Sequence, residues 1–509
     1  MLHILERTGR TESYEDFLKR TAGLPAALML CPLLVAANPS SPDPYQLLVR
    51  LESTRSPGAG QLASALASAD SELSARAALA IGRAKDPAGA ALLAAHLHDG
   101  RAAVRGMSVY GLGLIATGTA VGAIATALSS DRSGAVRVAA ADALARDEAA
   151  KAVHGGAEPQ AALALVGAMI ADHDPVVRGR AAAALEAFRA SPMADFVSRA
   201  LTGAFKGERN DEVRWHIMWT IFRGYAIRVP RAMLTVALRD HNELVRIEAV
   251  RAYGRLKSKG AVGALEPLTK DSSWRVQLQA LESLRALQGL PPTEHLSSMP
   301  PGINSPPVRV QNFMEITPLP RPLVTGKPAA PDAADAIYRP RLNPTTSALM
   351  DGPMPGPHPR VRIGTTKGPV VATLYPEWAP LTVENFLNLA NRGYYDNLPW
   401  YRVVPDFVAQ TGGHYNDKGD DTMPVGYTIP AEENPLEQRS YVLSMGMDYK
   451  DNAPIRDSAG VEFYITLSPQ LHLNRDFTVF GEVTQGFDVF GRLVETDKIT
   501  RVEQIPDSP

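Results

Sequence analysis

The stretch APLTVENFLNLANRGYYDNLPWYRVVPDFVAQTGG, residues 379–413, changes its hydrophobic period in mid-course. In its first half Val383, Phe386, Leu387 and Ala390 recur on one helical face, with Thr382 placed as N-cap and Gly393 as the stop. From Pro399 the spacing shortens to that of a strand, PWYRVVPDFVAQ, and Arg402 stands inside a run that otherwise reads as buried. On either side lie more short segments of strand type. RVRIGTTKGPVVATLY (360–375) reads as two strands joined by the turn Thr365-Thr366-Lys367-Gly368. RSYVLSMGM (439–447), VEFYITLS (461–468) and DFTVFGEV (476–483) follow. Many short strands with Gly turns and few helices predict a small closed barrel.

Upstream the sequence is of another kind. Residues 45–289 are alanine-rich, helical in period and self-similar, with an aspartate six residues ahead of an arginine: Asp70/Arg76, Asp99/Arg105, Asp131/Arg137, Asp172/Arg178 and Asp240/Arg246. Glu208/Arg214 and Asp271/Arg275 are degenerate copies, and successive arginines lie 29, 32, 41, 36, 32 and 29 residues apart. That spacing predicts an α-solenoid of helical pairs. The aspartates either cap the turns or pair with the next repeat's arginine, while rows of Ala and Leu let helices pack closely. The pattern resembles HEAT repeats, which implies an extended surface for an unidentified protein partner.

Between these regions, residues 290–354 are too rich in proline for helix and read as a semi-rigid linker, with VRVQNFMEI able to lie against a domain as a strand. At the other end, Lys19-Arg20, the apolar run 21–37 and its small-residue ending Val35-Ala36-Ala37 have the parts of a secretory signal, so export to a periplasmic or extracellular space is expected. A cytoplasmic protein with an N-terminal apolar helix is the alternative. The 52 Lys+Arg against 54 Asp+Glu give no basic footprint for nucleic acid. The single cysteine, Cys31, excludes an internal disulfide. No run of about 20 apolar residues marks a membrane span.

The segment 379–413 is similar to the cyclophilin family, the peptidyl-prolyl cis-trans isomerases. GYTIPAEENPL (426–436), YVLSMGM, GVEFYITLS and FTVFGEV extend the resemblance in the same order across residues 355–509. It implies an eight-stranded antiparallel barrel with two capping helices, proline-containing polypeptide substrates and no metal or organic cofactor. Arg402 matches the family's catalytic arginine and Gln410 the glutamine that orients substrate and arginine. Phe407, Phe463 and Leu473 match the apolar lining of the proline pocket, with Val408 where the family often has methionine. Glu462 stands where glutamine is common, and either orients Arg402 or competes for its guanidinium. His472 replaces a tryptophan important for cyclosporin binding, and Phe477 a frequent pocket histidine. Gly446-Met447 replace an Ala-Asn pair that binds substrate backbone, and the loop 447–460 is about six residues longer than the compact family form. The expected function is prolyl isomerisation in assisted folding. The alternative is a proline-peptide-binding scaffold or holdase with little turnover.

Overall fold

The computed structural model describes residues 44–55, 59–149, 158–257, 259–290, 358–414, 425–450 and 453–506. The apolar segment 21–37 with Cys31, and the linker from 291 to 354, lie outside the described residues.

The N-terminal region is helical from Pro44 to Leu287. Helices Ser71–Ala84, Ala102–Ile115, Gly134–Ala149, Pro175–Ala184, Asp211–Thr220, Glu243–Arg255 and Trp274–Leu287 form one row, each packed on the next. Shorter helices, such as Val121–Ser130 and Ala194–Gly207, flank that row. Small residues set how closely the row packs. A Cβ on Gly82 would lie 2.4 Å from Cα of Gly111, and one on Gly113 would lie 2.5 Å from Cα of Ala143.

The acid–arginine pattern is a ladder of ion pairs with one correction to its direction. Each arginine pairs with the acid of the following repeat, so each acid serves the repeat before it. Arg105 reaches Asp131 (2.7 Å), Arg137 Asp172 (2.7 Å), Arg178 Glu208 (2.9 Å), Arg214 Asp240 (2.8 Å) and Arg246 Asp271 (2.8 Å). The same acids also close turns: Asp131, Asp172, Asp240 and Asp271 each accept from the backbone N–H two residues on. A fixed acid thus satisfies an orphan donor before a helix and a guanidinium from its neighbour. The two end members leave the pattern. Arg76 pairs with Glu52, and Arg275 with Glu243 and with Asp406 of the C-terminal region.

The C-terminal region is a curled antiparallel sheet of eight strands in the order β10-β1-β2-β9-β5-β8-β4-β3. Its strands are β1 (Arg360–Thr365), β2 (Gly368–Leu374), β3 (Arg402–Val404), β4 (Val408–Thr411), β5 (Val442–Met445), β8 (Phe463–Thr466), β9 (Val479–Gln485) and β10 (Ile499–Ile505). Within the loop 447–460, β6 (Tyr449–Lys450) and β7 (Ala453–Pro454) pair as a short antiparallel ribbon. The predicted turn joins β1 to β2, with Gly368 at φ 126°. Next to the outermost strands, Pro399 bridges Lys498, and Trp400 N–H donates to Asp497 O (2.9 Å).

The predicted helix runs Pro380–Asn391 with Val383, Phe386, Leu387 and Ala390 buried, and Gly393 follows it at φ 69°. Thr382 is not its N-cap. It lies inside the first turn, and the buried carboxylate of Glu432 accepts from the N–H groups of Leu381 (3.0 Å) and Thr382 (2.8 Å). A residue fifty positions away thus supplies the acceptors for two of the N–H groups left unpaired at the helix start. The second expected helix is only the single turn Phe487–Phe490.

The two regions share a packed boundary. Trp378 and Leu471 belong to the same buried cluster as the helical row. Arg83, wholly buried, donates to the carbonyls of Glu433 (2.7 Å), Trp378 (2.8 Å) and Glu432 (3.1 Å) and pairs with Glu52. Arg180 meets Glu437 (3.1 Å), Arg439 meets Glu212 (2.7 Å), and Arg251 meets Asp406 (2.9 Å). The loop 447–460 joins this boundary through Asp457, paired with Arg55 (2.6 Å), and through Arg456, which donates to Arg83 O (3.2 Å).

Candidate active site

Strands β3 and β4 form a tight hairpin that places Arg402 directly opposite Gln410. Arg402 is exposed, at the start of its strand, which is why an arginine is tolerated in that run. Its Nη1 lies 3.4 Å from Gln410 Oε1, and its guanidinium stands over the Phe407 ring at 5.2 Å. Gln410 in turn donates from Nε2 to Glu462 Oε2 (3.1 Å), which also accepts from the Tyr401 hydroxyl (2.9 Å). Since a carboxylate only accepts, this pairing turns the amide so that its oxygen faces Arg402. Burial pushes the Glu462 carboxyl above its ordinary range, against the bonds from Tyr401 and Gln410 that favour its charge. Gly446 makes room for it: a Cβ there would lie 2.9 Å from Glu462 Cβ and 3.0 Å from Oε2.

Beside Arg402, Val408, Tyr464, Leu473 and Phe477 form a small apolar cluster separate from the sheet's main core, with Phe407 and Met447 half-buried against it. His472 lies parallel to Phe407 at 5.9 Å, 14° between planes. Its pKa is lowered to about 4 by burial and by the positive charge of Arg223 and Arg251, so the ring is neutral at pH 7.

Of the residues singled out in the sequence, Arg402, Gln410, Phe407, Val408, Glu462, Leu473, His472 and Phe477 come together here. Phe463 does not. It is fully buried in the main core, edge-on to Phe386 (5.3 Å) and Tyr395 (5.5 Å). Strand parity explains the correction. Gln410 pairs with Tyr464 and Thr411 with Phe463, so Tyr464 shares the face of Val408 and Gln410 while Phe463 points the other way. Tyr464 is the member of this cluster that sequence reading missed, and β4–β8 register is the signal that reveals it.

The family model "Cyclophilin type peptidyl-prolyl cis-trans isomerase/CLD" matches residues 360–507, and a HEAT-repeat model matches residues 230–299. Among curated relatives, peptidyl-prolyl cis-trans isomerase B of Bacillus subtilis (strain 168) is 43% identical over 134 residues, 26% of this chain and 87% of that protein. Peptidyl-prolyl cis-trans isomerase CYP18-2 of Arabidopsis thaliana is 34% identical over 149 residues, 29% of this chain and 88% of that protein. The peptidyl-prolyl cis-trans isomerase of Synechococcus elongatus (strain ATCC 33912 / PCC 7942 / FACHB-805) is 33% identical over 146 residues, 28% and 94% respectively. Relatives this similar, matched over nearly their whole length, leave one assignment: this chain belongs to the cyclophilin-type peptidyl-prolyl cis-trans isomerases.

Proposed function

We propose that Arg402 is the catalytic residue of prolyl isomerisation in this chain, assisted by Gln410, and that the cluster of Phe407, Val408, Tyr464, Leu473 and Phe477 grips the proline ring. Amide resonance sets a barrier of roughly 18–20 kcal/mol to rotation about the X-Pro bond. No bond is made or broken, so the catalyst has only to favour the twisted amide over both planar forms. Twisting gives the prolyl nitrogen a usable lone pair, and a fixed guanidinium donates to it. The supporting observation is geometric: Arg402 is exposed, sits opposite Gln410 and stands over Phe407, so donor and apolar floor are side by side.

In this reading the sheet closes into a barrel through the Pro399–Lys498 bridge, and the helical pairs form a HEAT-type solenoid over residues 45–289. Because the solenoid's Arg83, Arg180, Arg251 and Arg275 are spent on the isomerase, a client or partner protein docks on the outer helices. The run 21–37 addresses the chain for export, and its substrates are exported polypeptides.

The test is exchange of a short X-Pro peptide by the full chain, beside Arg402→Ala. Arg402→Ala is expected to lose about a hundredfold in kcat/KM with unfolding unchanged, the scale for removing one transition-state donor. If the variant keeps its rate, Arg402 is not the catalyst; if wild type binds the peptide without accelerating exchange, the protein is a proline-peptide scaffold.

A further inference from the structure

Asp406 occupies a position where its backbone is at odds with its side chain. The turn Val404-Pro405-Asp406-Phe407 is closed by Phe407 N–H donating to Val404 O (3.0 Å), with Asp406 at φ 58°. Proline followed by a left-handed residue is the type II pattern, in which glycine sits at no steric cost. The aspartate also carries a carboxylate into a place that is only 3% exposed. Neither turn nor sheet calls for that group.

Its partners all lie in the helical region. Oδ2 accepts from Arg251 Nη2 (2.9 Å) and from Gln279 Nε2 (3.1 Å), while Arg275 Nε lies 3.6 Å from Oδ1. Arg275 and Gln279 are one turn apart on helix Trp274–Leu287, and Arg251 comes from Glu243–Arg255. A second strand of contact runs beside the first. Arg275 Nη2 donates to Leu467 O (2.9 Å), and Leu467 N–H donates to Phe407 O (2.8 Å). The backbone of Asp406 is held as well, its carbonyl accepting from Ser468 Oγ (2.6 Å) and Gln470 Nε2 (3.1 Å). The next residue is Phe407, which lies beneath Arg402 and against His472.

We propose that Asp406 is a positioning residue through which Arg251, Arg275 and Gln279 of the helical region fix the turn that presents Phe407, and so set the grip of the proline pocket. The helical region is then part of the isomerase's binding apparatus, in addition to any partner it docks. This rests on the reading of Phe407 as pocket floor and of Arg402 as catalyst. A positioned floor affects binding in ground and transition states alike, so the effect falls on KM more than on kcat.

The experiment uses the full chain and a short peptide with one Ala-Pro bond, following both rate acceleration and peptide Kd. Asp406→Gly suits the turn and removes only the carboxylate, and is expected to raise KM about tenfold with kcat within about twofold. Arg251→Met, which touches no substrate, is expected to do the same, and the double variant to be no worse than either single one. Asp406→Asn keeps an acceptor and tolerates the left-handed backbone, so it restores KM to within about threefold of wild type. Should Asp406→Gly not fold, Arg251→Met and Gln279→Met decide alone. Unchanged KM in folded variants overturns the proposal, as does a fall in apparent kcat that merely follows the folded fraction at constant KM. If wild type binds the peptide without accelerating exchange, the catalytic reading falls, and Kd replaces KM in the same comparison to decide the role of Asp406.

Discussion

The helical region uses arginine in two ways that differ in everything but residue type. Arg105, Arg137, Arg178, Arg214 and Arg246 tie each repeat to the next across about thirty residues in bidentate pairs, Arg105, Arg137 and Arg214 buried and Arg178 and Arg246 half-buried. Arg83, Arg180, Arg251 and Arg275 reach across 131 or more residues to groups in the C-terminal region, Arg83, Arg180 and Arg275 buried and Arg251 half-buried. The first set stacks identical units, so the same spacing must recur. The second meets a surface with no repeat, so each contact is solved singly. Periodicity therefore reports how the helices stack and is silent about what they hold.

The sharpest way to break that distinction is to remove one arginine of each kind. Arg83 spends its donors on three carbonyls of the other region and on Glu52, all away from water. Arg83→Met should cost about 3–5 kcal/mol, because it strands buried acceptors. Arg105→Met loses one charge-assisted pair while Asp131 keeps the N–H of Ser133 as a donor, and about 1–3 kcal/mol is expected. Urea unfolding of the full chain measures both. If the two cost the same, the boundary between regions is held by apolar packing and its arginines are incidental.

Legibility divided along the same line. The helix 380–391, its apolar face and its glycine stop were readable because three- and four-residue spacing encodes them locally. So was the acid–arginine ladder, though not its direction, since a fixed spacing does not tell whether a side chain reaches forward or back. The cap from Glu432, the grip on Asp406 and the anchoring of the long loop through Arg456 and Asp457 join residues that no local pattern connects. Arg402 and Gln410 were legible as a motif, and their pairing across a hairpin agrees with it. The misplacement of Phe463 has a narrower cause: two adjacent aromatics in a strand face opposite ways, and only register assigns them.

That adjacent pair sharpens the comparison between packing and function within one strand. Phe463→Ala empties a core site ringed by Phe386, Tyr395 and Trp400 and should destabilise by about 3–5 kcal/mol with little change in KM among folded molecules. Tyr464→Ala should raise KM for a proline peptide about tenfold, because its buried ring backs the small cluster of Val408, Leu473 and Phe477 against which Phe407 packs. Equal effects on KM would mean that the β4–β8 register does not separate pocket from core.

The smallest effect concerns His472, where the two regions meet electrostatically. Burial and the charges of Arg223 and Arg251 lower its pKa to about 4, against about 6.5 in an unfolded chain. Below pH 6.5 the unfolded state takes up a proton that the folded state refuses, so stability is full above that pH, declines as pH falls, and levels off below about 4. The ring keeps some solvent contact, so the loss should be about 1 kcal/mol rather than the whole shift. His472→Phe keeps a ring against Phe407 and removes the titration. The difference between wild type and variant, from unfolding at pH 7.5 and pH 4.5, cancels the many carboxylates that titrate in both. A difference that does not change over that range would show that His472 accepts a proton as readily folded as unfolded. It would also show that Arg251, though close enough to grip Asp406, does not act on the His472 ring.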